Sequence, residues 1–160
     1  MDKQRVYIET SFISYLTSKP NRDLVLAAHQ QISREWWDKR KKDFEIFISQ
    51  LVYEEAGKGD ADAVKLRMKI LTNIPLLELN DECMNLASIF IRENIIPRNF
   101  VEDAFHISIA TIHGMDYLLT WNCKHIANAV IRGRIEKACN EAGYIIPVIC
   151  TPEELLGDLT

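Results

Sequence analysis

The stretch from Asn99 to Asn122 constrains this chain more than any other. Ala104, Phe105, Ile107, Ile109, Ala110 and Ile112 leave almost no polar face on a helix, which suits a helix packed against a sheet and not one lying on a surface. Asn99 followed three residues later by Glu102 has the form of a capping box, so the helix is expected to begin near Phe100, with Asp103 in its first turn. Gly114 stops it. Tyr117-Leu118-Leu119-Thr120 then reads as a short strand that leaves the sheet at Trp121-Asn122. An acid opens a buried helix, and an amide closes the strand that follows.

The remainder of the chain repeats this alternation. Arg5 to Ile8 is a β-branched and aromatic run, and Thr10 or Ser11 is the expected cap of a helix through Phe12 to Leu16, which leaves Glu9 at the carboxyl end of the first strand. Val25, Ala28, Ile32 and Trp36 mark one face of a second helix that runs to about Lys41. Phe44 to Ile48 is the second strand, and Ser49 caps a helix carrying Glu54 and Glu55 that ends at Gly57. Asp60 to Thr72 reads as helix, Leu76 to Leu79 as a weak third strand, and Asn80 or Asp81 as the cap of a helix to about Glu93. After Asn122, Ile126 to Ala142 reads as helix, Ile145 to Cys150 as a fifth strand broken by Pro147, and Thr151 to Glu154 as a final capped turn. Strands separated by helices imply a mainly parallel, three-layer α/β sheet.

A length of 160 residues fits one domain, 1–160, with a core that requires neither metal nor disulfide support. The net charge of -4 argues against a whole-surface polyanion binder, so any nucleic-acid ligand needs bound cations or a local basic patch to offset phosphate repulsion. Cys83, Cys123, Cys139 and Cys150 are too dispersed for a finger-type zinc site, and reduced thiols are expected. No apolar run resembles a signal peptide or a membrane span, which gives the expectation of a cytoplasmic protein without membrane attachment.

Glu9, Glu55, Asp103 and Asn122 each lie at a strand end or in an adjoining helical turn, and a parallel sheet can bring them to one edge. Three converging carboxylates repel, and the usual remedies are a raised pKa or a hard divalent cation. An all-oxygen set favours Mg²⁺ or Mn²⁺ over zinc, and such a cation supports hydrolysis of a phosphodiester. Simpler roles exist for each residue. The helix dipole alone favours Asp103, Glu9 can be a solvated strand end, and Asn is a common turn former at positions like 122. Glu54 competes with Glu55, and the spacing from Ser49 selects Glu55. His106, His113 and His125 are candidates for acid–base work, although a histidine on an apolar helix is most often held by hydrogen bonds alone. Trp36, Trp37 and Trp121 read as packing or interface residues, and Lys39 to Lys42 as a solvated helix end.

Ile8-Glu9-Thr10-Ser11, Ser49 through Glu55, Asp103 through Ala110 and Leu118 through Asn122 together resemble the four motifs of PIN-domain ribonucleases, in particular the VapC-type toxins of prokaryotic toxin–antitoxin pairs. The resemblance runs from Val6 to Val148 and lies in the order and spacing of the motifs. It implies a five-strand parallel sheet of order 3-2-1-4-5 with an acidic, metal-binding pocket at its carboxyl edge. Glu9, Glu55 and Asp103 match the first three acids, expected to hold Mg²⁺ or Mn²⁺, and Asn122 takes the place of the fourth as a further catalytic position. An RNA substrate, a small antitoxin protein and a homodimer through the early helices are the implied partners. Two residues depart from the family pattern: Glu9 stands where Asp is common, and Asn122 supplies a neutral oxygen in place of a carboxylate. These departures support a rival reading, a PIN-like scaffold of weak or no activity serving as a protein- or RNA-binding module. A nuclease for structured DNA, like the related flap endonucleases, is disfavoured because the chain lacks room for their additional DNA-binding elements.

Overall fold

The computed structural model describes residues 2–157. Five strands form one parallel sheet: β1 (Gln4–Ile8), β2 (Phe44–Ser49), β3 (Leu76–Leu77), β4 (Tyr117–Leu119) and β5 (Val148–Cys150), in the order β3-β2-β1-β4-β5. The central strand is buried on both sides, with Val6, Tyr7 and Ile8 all inaccessible, as a strand covered by helices on two faces requires. The expected mainly parallel sheet and its order are therefore observed. Pro147 has no N–H to give a ladder, so the last strand begins only at Val148 and is shorter than Ile145 to Cys150.

Among the described residues, seven α-helices connect the strands: α1 (Thr10–Thr17), α2 (Leu24–Lys39), α3 (Gln50–Ala56), α4 (Ala61–Leu71), α5 (Asp81–Arg92), α6 (Val101–Ile112) and α7 (Ala129–Glu141). Helix α1 contacts α2, α3 and α4, and α5 contacts α6 and α7. Right-handed crossovers place these two groups on opposite faces, because the chain steps outward from β1 to β3 and then returns to β4 and β5. The direction of winding reverses between β1 and β4. In open parallel sheets, the crevice beyond the carboxyl ends at such a reversal is where ligands bind.

Several local expectations are corrected by tertiary context. Asn99 does not cap α6: a 3-10 turn over Arg98–Phe100 follows Pro97 and leads into the helix at Val101, with Phe100 at the cap position and no side-chain cap. Asp103 still falls in the first turn. Glu9 itself, rather than Thr10 or Ser11, caps α1, its carboxylate accepting the Ser11 N–H. The last helix begins at Ala129 and not Ile126, because a turn anchored on Asn122 intervenes and Asn128 supplies the cap. Lys39 ends α2, and Lys41 lies over the Trp37 ring at 4.0 Å. This basic run immediately precedes the amino end of β2, away from the carboxyl edge.

All four cysteines are free. Cys83, Cys139 and Cys150 are buried, and burial pushes the thiols of Cys139 and Cys150 up to about 11 and about 12, which makes both inert packing groups near neutrality.

Candidate active site at the carboxyl edge

Register in the sheet brings the first acid to β4. Ile8 pairs with Leu119, the ladder continues with the Glu9 N–H donating to the Leu119 carbonyl at 3.0 Å, and Thr120 thereby lies beside Glu9. The Thr120 hydroxyl donates to Glu9 Oε2 at 2.7 Å, and the same oxygen accepts from the Ser11 N–H at 3.1 Å and from the Ser11 hydroxyl. Glu9 is only 5% exposed, so this set of donors is what a buried carboxylate needs. Its other oxygen, Oε1, has no partner among the described residues. Thr120 Oγ1 also accepts the Asn122 N–H at 2.9 Å, and Ser11 Oγ accepts the Trp121 N–H at 2.8 Å. One threonine thus joins the first acid to the strand exit. Thr120→Val, which keeps the shape and deletes the hydroxyl, is expected to lower stability by about 1–3 kcal/mol in urea denaturation. An unchanged midpoint would contradict this assignment.

The second acid is Glu55, on the last turn of α3. Glu55 Oε1 accepts from the Thr10 hydroxyl at 2.7 Å and meets His106 Nε2 at 2.6 Å, while Glu54 is exposed. Oε2 has no partner among the described residues. His106 is fully buried on α6, and its Nδ1 meets the Tyr7 hydroxyl at 2.7 Å; that hydroxyl lies 2.8 Å from Ser49 Oγ. Burial by itself would depress His106, but the hydrogen bond to Glu55 and the charges of Glu9, Glu55 and Asp103 outweigh it, and the ring is shifted upward. For Glu55 the largest single influence, burial, raises it; the His106 bond and charge, Thr10 and Lys58 together hold it below the ordinary range. Burial pushes the Tyr7 phenol well up, so it remains protonated and able to donate.

These shifts fix a pH window for the pair. A raised histidine contributes fully below its ordinary value of about 6.5 and loses its contribution as pH rises through the folded value. A depressed glutamate contributes above about 4.3 and loses its contribution as pH falls through the folded value. In metal-free buffer, the stability gap between wild type and Glu55→Gln is therefore expected to be widest between these limits and to shrink on either side. Chemical denaturation across pH checks it, and a gap independent of pH would contradict it.

The third acid, Asp103, is partly buried at the amino end of α6, where the helix dipole favours negative charge. Its Oδ1 accepts from Asn122 Nδ2 at 3.1 Å, and its Oδ2 meets His125 Nδ1 at 3.0 Å. The His125 ring rests against Phe100, with centroids 4.1 Å apart. Asn122 departs from its expected role as an oxygen donor to the pocket. Its Oδ1 accepts the backbone N–H groups of Lys124 and His125 at 3.2 and 3.0 Å, as an Asx turn does, and its amide nitrogen is the atom that faces the acid. The backbone donors settle which end is oxygen.

Three of the four residues are joined through shared partners at this edge, and Glu55 stands apart on its bonds to Thr10 and His106. Glu9 reaches Asn122 through Thr120, Asn122 reaches Asp103, and Glu9, Glu55 and Asp103 all act electrostatically on His106. Tyr7, Ser49 and Thr120 belong to this constellation; Ser49 and Thr120 lie inside the motif stretches, as a helix cap and a strand residue, whereas Tyr7 carries no sequence signal of its own, and His106 and His125 are visible as histidines near motif positions. His113 lies elsewhere, its Nε2 2.7 Å from the Glu78 carbonyl oxygen. Trp121 packs, donating from Nε1 to Ser33 Oγ at 2.7 Å and stacking on His29 at 3.9 Å.

The donor chemistry fits a hard divalent cation: three carboxylates, with one oxygen of Glu9 and one of Glu55 unpartnered among the described residues. Also among the described residues, no three His, Cys, Asp or Glu side chains are gathered in a pre-formed metal-binding group. Each acid is held in place by hydroxyl, imidazole or amide donors.

The strand order, the helices on both faces and the acids at the winding reversal define a PIN-like three-layer α/β fold. No protein-family model matches the sequence, and no curated protein matches it. Among solved structures, the fold is similar to the crystal structure of VapBC2 from Rickettsia felis bound to a DNA fragment from their promoter, with a TM-score of 0.59 and 14% identity, covering 92% of this chain and 98% of that one. At that identity, the likeness shows a shared fold.

Proposed function

We propose that the protein is a divalent-metal-dependent endoribonuclease, hydrolysing RNA phosphodiesters, and that it is the toxin of a prokaryotic toxin–antitoxin pair. The observation that carries this reading is the placing of three acids from separate elements at the carboxyl edge of the sheet, Glu9 held by Thr120, Glu55 by His106 and Asp103 by Asn122. Mg²⁺ or Mn²⁺ held by these three acids would supply positive charge against a scissile phosphodiester and acidify a water for attack. The chain's own contribution is to hold the ligands. Thr120 and Ser11 fix Oε2 of Glu9, Thr10 and His106 fix Oε1 of Glu55, and Asn122 with His125 orients Asp103. Asn122 acts in this scheme through Asp103, as a positioning residue.

The similar structure is VapBC2 on a promoter fragment, and the VapC-type motifs of this chain extend the proposal to its partners. A small antitoxin protein covers the acidic edge, two copies associate through the early helices, and the protein acts in the cytoplasm. None of the described helices is long and apolar enough to cross a membrane. A short antitoxin reading frame beside the gene is the expected genomic counterpart.

One observation favours a second reading, a PIN-like module of weak or no activity that binds protein or RNA. Both oxygens of Asp103 are already engaged, and the fourth motif position is a neutral amide used by a turn. Cleavage of an RNA panel by wild type and Asp103→Asn, with and without Mn²⁺, separates the two. Nuclease function predicts metal-dependent cleavage by wild type alone; no cleavage, or equal metal-independent cleavage by both, overturns it.

A further inference from the structure

A closed circuit of hydrogen bonds links β1, α3 and α6 beneath the second acid. The Tyr7 hydroxyl meets Ser49 Oγ at 2.8 Å and His106 Nδ1 at 2.7 Å, and His106 Nε2 meets Glu55 Oε1 at 2.6 Å. Ser49 is the cap of α3, its Oγ accepting the Val52 N–H at 3.3 Å, and Glu55 lies near the other end of the same helix. The circuit therefore returns to its starting point through the helix backbone, and it grips α3 at both ends. Tyr7, Ser49 and His106 are all buried, so the bonds among these three are shielded from water.

The hydrogen-bond inventory of the circuit is complete in either form of the ring. If His106 carries both protons, Nε2–H donates to Glu55, Nδ1–H donates to Tyr7, and the Tyr7 hydroxyl donates to Ser49. If Nδ1 is bare, it accepts from Tyr7, and Ser49 donates to the Tyr7 oxygen. Either way, Glu55 Oε1 is committed inward, together with its bond from Thr10, and Oε2 remains the oxygen without a partner among the described residues. A lone Glu on a short helix would sample several rotamers; here the carboxylate has one oxygen pinned by two donors from different elements.

From this circuit we infer that His106, supported by Tyr7, is a positioning residue that presents the free oxygen of Glu55 to the cation at the acidic edge. The inference rests on the metal-dependent reading proposed above and extends it to residues outside the four motif acids. Partners that orient a ligating group commonly tune metal affinity as well as activity, since they fix the ligand's direction before the ion arrives. A merely structural role would alter thermal stability and leave affinity unchanged.

The test is calorimetric titration of Mn²⁺ into metal-free full-length protein, comparing wild type with Asp103→Asn, His106→Phe, His106→Gln and Tyr7→Phe. Wild type is expected to bind saturably and Asp103→Asn to lose that binding. His106→Phe is expected to bind on the order of tenfold more weakly and Tyr7→Phe about threefold more weakly. Glutamine at 106 offers an amide donor near the position of Nε2, and it should restore most of the affinity. In RNA cleavage, the Mn²⁺ concentration giving half-maximal rate should rise with His106→Phe by the same factor as the dissociation constant. Wild-type affinity in both His106→Phe and Tyr7→Phe, with Asp103→Asn still inactive in binding, would overturn the positioning role alone. Absence of saturable binding by wild type would overturn the metal-dependent reading and this inference with it. Should His106→Phe fail to fold, Tyr7→Phe, which deletes a single oxygen, decides the matter: unchanged affinity overturns the role.

Discussion

Asp103→Asn is expected to reduce Mn²⁺-dependent RNA cleavage on the order of a hundredfold or more while leaving the fold in place. The substitution removes one charge from the edge and exchanges one of two acceptor oxygens for a donor nitrogen. The Asn122 amide can still find an oxygen, whereas His125 loses a carboxylate partner or meets an N–H where it had an acceptor. Asp103 is only partly buried, so the change in folding stability should stay near about 1 kcal/mol. Activity and stability thus separate cleanly. Rate measurements at matched, folded protein concentrations check this, and a variant as active as wild type would remove Asp103 from the chemistry.

The largest expected loss of stability is at Trp36. This ring is fully buried, edge-on to Phe12 at 5.5 Å and stacked on Phe44 at 5.7 Å, and it ties α2 to α1 and to the start of β2. Trp36→Ala removes those contacts and leaves a cavity that neighbouring helices cannot fully close, at a cost of about 3–5 kcal/mol. Against a total of about 5–15 kcal/mol for a domain, that is a large fraction. Because α1 carries Thr10 and Ser11, loosening it also frees the donors to Glu55 and Glu9. Denaturant titration followed by tryptophan-independent circular dichroism measures the loss, and a shift below about 1 kcal/mol would contradict the packing role.

Much of this architecture is written locally. The all-round apolar face of α6, the caps at Ser49, Asp60 and Asn80 and the stop at Gly114, whose φ of +68° suits glycine, each depend on residues within a few positions of one another. The strand order followed from the family resemblance and is what the sheet shows. What the sequence concealed is non-local. Thr120 and Glu9 are 111 positions apart, and Tyr7 and His106 are 99 apart; both pairings depend on sheet register and helix rotation that no short motif encodes. The Asn99 capping box failed for a related reason. Pro97 and the 3-10 turn after it set the approach to α6, and that tertiary path prevailed over a locally good cap. Asn122 is the subtler case, because its place in the motif suggested an oxygen for the pocket. The turn at Lys124 and His125 takes that oxygen, and the amide is what remains for Asp103.

The most direct measurement is anomalous diffraction from crystals of the protein soaked in Mn²⁺. A manganese peak in contact with the carboxylates of Glu9, Glu55 and Asp103 is the predicted result. Crystals that bind manganese only elsewhere, with the three acids still held by Thr120, His106 and Asn122 alone, would contradict the account.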